Sequence, residues 1–105
     1  MQLIRGTTPT ITINVKSDLD LSQIVSIWVY ISQQNKVKVD KELTDVTIDT
    51  EHNQITVRLE QADTLELRAG DALFQIRLLL ADTTALATIA QKITIIEVYK
   101  QGVIT

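Results

Sequence analysis

The stretch Ile24-Val25-Ser26-Ile27-Trp28-Val29-Tyr30-Ile31-Ser32 decides the fold class. Val25, Ile27, Val29 and Ile31 recur at every second position, the period of a strand that lays one face on a core. Ser26, Trp28, Tyr30 and Ser32 fall on the other face. Residues 72–80 repeat the pattern, with Phe74, Ile76, Leu78 and Leu80 on one side and Leu73, Gln75, Arg77 and Leu79 on the other. Two such strands make a sheet whose inner face is apolar and whose outer face carries a tryptophan, a tyrosine and an arginine.

The same period runs outward in both directions. Before residue 24, Ile11, Ile13 and Val15 alternate with Thr10, Thr12 and Asn14 to give a first strand, and Pro9 stands just ahead of it, where a missing N–H costs no ladder bond. After it, Gln33-Gln34-Asn35-Lys36 reads as a hairpin turn into Val37-Lys38-Val39, since Asn tolerates the left-handed backbone of tight hairpins. Val46-Thr47-Ile48 and Ile55-Thr56-Val57-Arg58-Leu59 bracket a polar loop and form a second hairpin. The spacing in Gln61-Ala62-Asp63-Thr64-Leu65-Glu66-Leu67 predicts a connecting turn, with Asp63 placed to cap one short helical turn before Gly70. From 86 to 98 the chain is β-rich, but alternation breaks at Ile95-Ile96, which a bulge or a strand shared between two environments would explain.

About seven short strands with polar turns predict an all-β, antiparallel, immunoglobulin-like β-sandwich, with a barrel as the second choice. The 105 residues form one domain, 1–105, because a linker and a second core would leave too little buried surface for either. With 45% hydrophobic and 22% charged residues, the chain has the composition of a folded protein.

Charge and chemistry exclude more than they assign. A formal charge of −3 argues against a surface that gathers phosphates, so nucleic acid is not an expected partner. No apolar run is long enough to cross a membrane and no signal peptide opens the chain, so the expectation is synthesis in the cytoplasm with no membrane partner. Cysteine is absent, which removes disulfides and thiolate ligands. The single histidine, His52, sits between Glu51 and Asn53 in a predicted hairpin loop and reads as a solvated turn residue. The acidic loops Ser17-Asp18-Leu19-Asp20 and Asp45-Val46-Thr47-Ile48-Asp49 lack the spacing of a calcium loop. Ser22, Ser26 and Ser32 have no Gly-x-Ser-x-Gly context, and Gly6, Gly70 and Gly102 are too scattered to cradle a phosphate. No catalytic residue, metal site or cofactor is expected, and the protein is not expected to be an enzyme.

What remains is the outer face. If Ile27, Val29 and Ile31 point inward, Trp28 and Tyr30 point outward, and with Arg77 they are the residue types that anchor protein interfaces. The bland reading is that a loop, the N-terminal arm or the irregular last strand covers them within the same chain.

Four stretches, in this order, carry a resemblance: Arg5-Gly6-Thr7-Thr8-Pro9-Thr10 before an alternating strand; Leu59-Glu60-Gln61-Ala62-Asp63-Thr64-Leu65 leading to Ala69-Gly70; Gln75-Ile76-Arg77; and the ending Lys100-Gln101-Gly102-Val103-Ile104. Over nearly its whole length the chain resembles a family of short proteins encoded in phages and prophages of Gram-positive bacteria. That family is itself similar to the N-terminal domain of phage baseplate upper proteins. The resemblance implies an immunoglobulin-like domain in the virion that serves attachment or assembly in the tail or baseplate, contacting other virion proteins or copies of itself. Baseplate upper proteins continue into long coiled or receptor-binding regions; this chain stops soon after its last strand, so the expectation is an accessory subunit. Where the family often carries Gly in the turn after its Gln-x-Arg strand, this chain has Asp82-Thr83-Thr84. A second function class, a binding module whose Trp28 and Tyr30 stack on a carbohydrate or other cell-surface ligand, fits the same residues.

Overall fold

The computed structural model describes residues 1–16, 19–88 and 90–105. Among these residues the strands are β1 (Gln2–Ile4), β2 (Thr10–Asn14), β3 (Ile24–Gln33), β4 (Lys36–Lys41), β5 (Val46–Asp49), β6 (Gln54–Arg58), β7 (Gly70–Leu80), β8 (Ala85–Ala87) and β9 (Gln91–Ile96), with one helical turn, α1 (Gln61–Leu65). The larger sheet runs β1-β9-β7-β3-β4 with β8 also on β7, and the smaller runs β2-β6-β5. In the lettering of the immunoglobulin sandwich, β9-β7-β3-β4 take G-F-C-C′ and β2-β6-β5 take B-E-D, so the chain folds as the all-β sandwich its periodicity predicts. Beyond the expected strands is β1, three residues long, which pairs with β9 in parallel rather than antiparallel, and the expected last strand is divided into β8 and β9.

The core lies between the sheets. Ile27, Val29 and Ile31 of β3 with Ala72, Phe74 and Ile76 of β7 meet Ile11 of β2 and Ile55 and Val57 of β6, all buried. Each large aliphatic side chain so buried stabilises the fold by about 1.5–3 kcal/mol.

Val25 does not share that face. The β3–β7 register shifts between Ile24 and Ser26, so Val25 is the extra residue of a bulge and remains 51% exposed. A second shift between Ile31 and Ser32 turns Val37 of β4 outward as well, while Val39 stays in the core.

The first hairpin turns on Gln34 and Asn35, both at positive φ, as a two-residue hairpin of this hand demands. Gln33 is the first residue of that turn and the last of β3. It is buried: its Nε2 donates to the Arg68 carbonyl at 2.8 Å, and its Oε1 accepts from the Arg68 N–H at 2.8 Å. Asp63 closes the turn of α1 from the inside, its carboxylate accepting from the Glu60 N–H at 2.8 Å, and Glu60 rather than Asp63 is the N-cap.

The break in the last strand falls earlier than Ile95-Ile96. There, Ile95 is buried and Ile96 exposed in plain alternation, and the interruption separates β8 from β9. Thr88 patches it, its N–H donating to the Ile76 carbonyl at 2.9 Å and its Oγ1 accepting from the Ile76 N–H at 3.1 Å. Of the acidic loop Ser17-Asp18-Leu19-Asp20, Ser17 and Asp18 lie outside the described residues; Asp20 caps a 3₁₀ turn at Leu21–Gln23 by accepting from the Ser22 N–H.

Candidate protein interface

The register of the two central strands brings the three sequence-predicted residues together. Trp28 of β3 lies directly opposite Arg77 of β7, and Tyr30 lies opposite Gln75 one step along the same face. The Arg77 guanidinium carbon sits 5.2 Å from the centre of the Trp28 ring, a cation–π contact that holds both long side chains against the sheet. Trp28 is 48% exposed, and Leu73 and Leu79 flank Arg77 along β7, also exposed. Among the described residues no carboxylate forms an ion pair with Arg77. Ser26, Trp28, Arg77, Leu79 and Ala85 border a shallow pocket of ≈ 190 Å³ on this side.

Tyr30 is placed differently. It is half-buried, its hydroxyl donates to Gln75 Oε1 at 2.5 Å, and Gln75 Nε2 donates in turn to the Thr88 carbonyl at 2.7 Å. Part of its polar capacity therefore serves to tie β3 and β7 to the end of β8. The last strand, which would cover the face if the bland reading held, instead joins the sheet edge on: β8 pairs with Arg77, Leu78 and Leu79. N-terminal β1 pairs on the far side of β9, so it too lies in the sheet rather than over Trp28.

Of the four stretches that carry the resemblance, Gln75-Ile76-Arg77 puts Gln75 and Arg77 on this face, and residues of the other three meet at one end of the sandwich. Arg5 donates to the Leu65 carbonyl at 3.0 Å, to Gln101 Oε1 at 2.7 Å and to the Glu97 carboxylate. Thr64 Oγ1 donates to the Thr7 carbonyl at 2.9 Å from a fully buried position. Gln61 holds the backbone of Ile104 on both sides, accepting from its N–H at 2.7 Å and donating to its carbonyl at 3.1 Å. Gly6, at φ +75, makes the bend from the larger sheet to the smaller, and a Cβ there would stand 3.5 Å from Leu65. The N–H of Val98 with Arg5 and Gln101 holds the Glu97 carboxyl down at about 2. Sequence reasoning named these stretches but not their meeting. The one signal for it was an arginine at the head of the chain with glutamate and glutamine near the end.

His52 stands 2.8 Å through Nδ1 from Asp49 Oδ2 in the exposed β5–β6 loop. Asp49 Oδ1 also accepts from the N–H groups of Glu51 and His52, and hydrogen bonding to His52 holds the Asp49 carboxyl below its ordinary range. The ligating atoms of Asp49, Glu51 and His52 come within 4.8 Å of one another, but the two Asp49 oxygens are engaged in making the turn.

Among the described residues no helix is long and apolar enough to cross a membrane. Comparison with known proteins finds no matching protein-family model and no matching curated protein.

Proposed function

We propose that this chain is a non-enzymatic structural or assembly protein of a phage virion, an accessory subunit of tail or baseplate, that docks on another protein subunit through the outer face of its larger sheet. The observation that carries the docking half of this reading is the exposed Trp28–Arg77 pair. Holding an indole and a guanidinium in one conformation lowers the entropy lost on binding, and both are residue types that dominate interface energetics. Arg77 retains donors for a partner carboxylate, and Leu73 and Leu79 supply apolar contact beside it. The virion half rests on the resemblance of the ordered motifs at 5–10, 59–70, 75–77 and 100–104.

The carbohydrate reading fits less well. Arg77 occupies one face of the indole that a sugar ring would stack on, and Tyr30 spends its hydroxyl on Gln75.

Trp28 is the single tryptophan, so its fluorescence reports on this face alone. Raising the protein concentration, or adding the virion proteins encoded beside it, is expected to shift emission to the blue as the indole leaves water. Unchanged emission in a complex proven by light scattering would place the contact elsewhere.

A further inference from the structure

The smaller sheet has order β2-β6-β5, so one side of β2 has no strand beside it among the described residues. In the immunoglobulin sandwich a strand A occupies that lane; here the residues ahead of β2 pair with β9 in the other sheet instead. The hydrogen bonds show which groups face the vacant lane. The Val15 N–H donates to the Asn53 carbonyl and the Leu59 N–H to the Pro9 carbonyl, so the odd-numbered residues of β2 bond to β6. By the alternation of an antiparallel ladder, Thr10, Thr12 and Asn14 turn their N–H and C=O groups to the open side.

Alongside lies a cavity of ≈ 570 Å³, opening between β2 and β8. Ile13, Val15, Ile76, Leu78 and Leu86 line it, and among the described residues Lys16 is the one charged residue in its wall. The edges differ in protection. Strand β4, an edge of the larger sheet, carries Lys36, Lys38 and Lys41 and a bulge, devices that discourage pairing, whereas β2, Thr-Ile-Thr-Ile-Asn, carries no charge.

We propose that β2 receives an extended segment of a partner protein as an added antiparallel strand, apolar at alternate positions and acidic at its N-terminal end. Its backbone bonds to Thr10, Thr12 and Asn14, its apolar side chains enter the cavity over Ile13 and Val15, and its carboxylate meets Lys16. This edge belongs to the other sheet from Trp28, and the inference does not depend on the function proposed above.

The test uses a capped peptide, acetyl-Glu-Val-Thr-Val-Thr-Val-Thr-amide, whose residues stand opposite residues 16 to 10, and the full chain observed by NMR. The expected result is shifted amide signals at Thr10, Thr12 and Asn14, at least tenfold slower hydrogen exchange there, and weaker binding when Lys replaces the peptide's Glu. Thr12→Pro removes an N–H that β6 does not use and is expected to weaken binding at least tenfold. Leu86→Lys, which charges the cavity wall without touching β2, serves the same end should the proline disturb folding. No signal change at millimolar peptide, or equal binding by either folded variant, overturns the proposal. Self-association of the free chain that Thr12→Pro abolishes would assign the lane to a second copy and likewise overturn it. Because Trp28→Ser leaves this edge intact, its effect on peptide binding is expected to be under twofold.

Discussion

The end of the sandwich around Arg5 and the outer face around Trp28 both present arginine, yet they use it oppositely. Arg5 is 15% exposed, with both terminal nitrogens bonded within the chain, to Leu65, Glu97 and Gln101. Arg77 lies exposed on an indole with no carboxylate paired to it among the described residues. The first arrangement closes the fold, since it bridges segments 60 and 92 residues away in sequence. The second adds little to the fold, about 0.5–1 kcal/mol for an exposed cation–π pair, and leaves donors for something else. The segments around Arg5, Thr64 and Gln101 therefore hold the fold together.

Arg5→Ala tests that division most severely. It strips a partner from the Leu65 carbonyl, Glu97 and Gln101, and is expected to cost about 2–3 kcal/mol, discounted for the exposure of Glu97, as a lower urea midpoint. Gln33→Ala removes the buried amide that holds both polar groups of Arg68 and is expected to cost about 2 kcal/mol by the same measurement.

Thr83→Gly is expected to act in the opposite direction. Thr83 has φ +70 in the turn joining β7 to β8, where Leu80 and Thr84 close the hairpin, and a β-branched residue pays about 1 kcal/mol or more for that backbone. Relief of this strain should raise the thermal midpoint by several degrees, roughly as expected for 1 kcal/mol in a domain this small.

Glu97 supplies a smaller effect, set by pH. Its folded carboxyl titrates at about 2, below the ordinary 4.5, so its contribution is fully present above 4.5 and is lost as pH falls toward 2. Glu97→Gln is expected to flatten that part of the acid-unfolding curve, and to leave it unchanged would remove the carboxylate from the account of this end.

The sheets were legible because burial and a period of two agree. Ile27, Val29, Ile31, Phe74 and Ile76 lie where alternation puts them. Val25 and Val37 escaped that rule because each neighbours a bulge, and a bulge inserts a residue without changing composition. The burial of Gln33 escaped because a glutamine at the head of a turn looks solvated, and only the distant backbone of Arg68 and Asp71 makes that burial tolerable. Of the candidate face, Trp28 opposite Arg77 follows from two strands in antiparallel register, but that register is a property of turns and bulges that local patterning does not fix.

The most direct test of the central claim, that the Trp28–Arg77 face contacts another protein, is association of wild type and Trp28→Ser measured by light scattering over a concentration series, alone and with the virion proteins that the proposed function names as partners. Urea midpoints are taken on the same samples. The account predicts at least tenfold weaker association for Trp28→Ser with a midpoint corresponding to about 1 kcal/mol or less of lost stability. Association of equal strength by a folded Trp28→Ser chain, or a wild type that stays monomeric and captures none of those proteins, would contradict it.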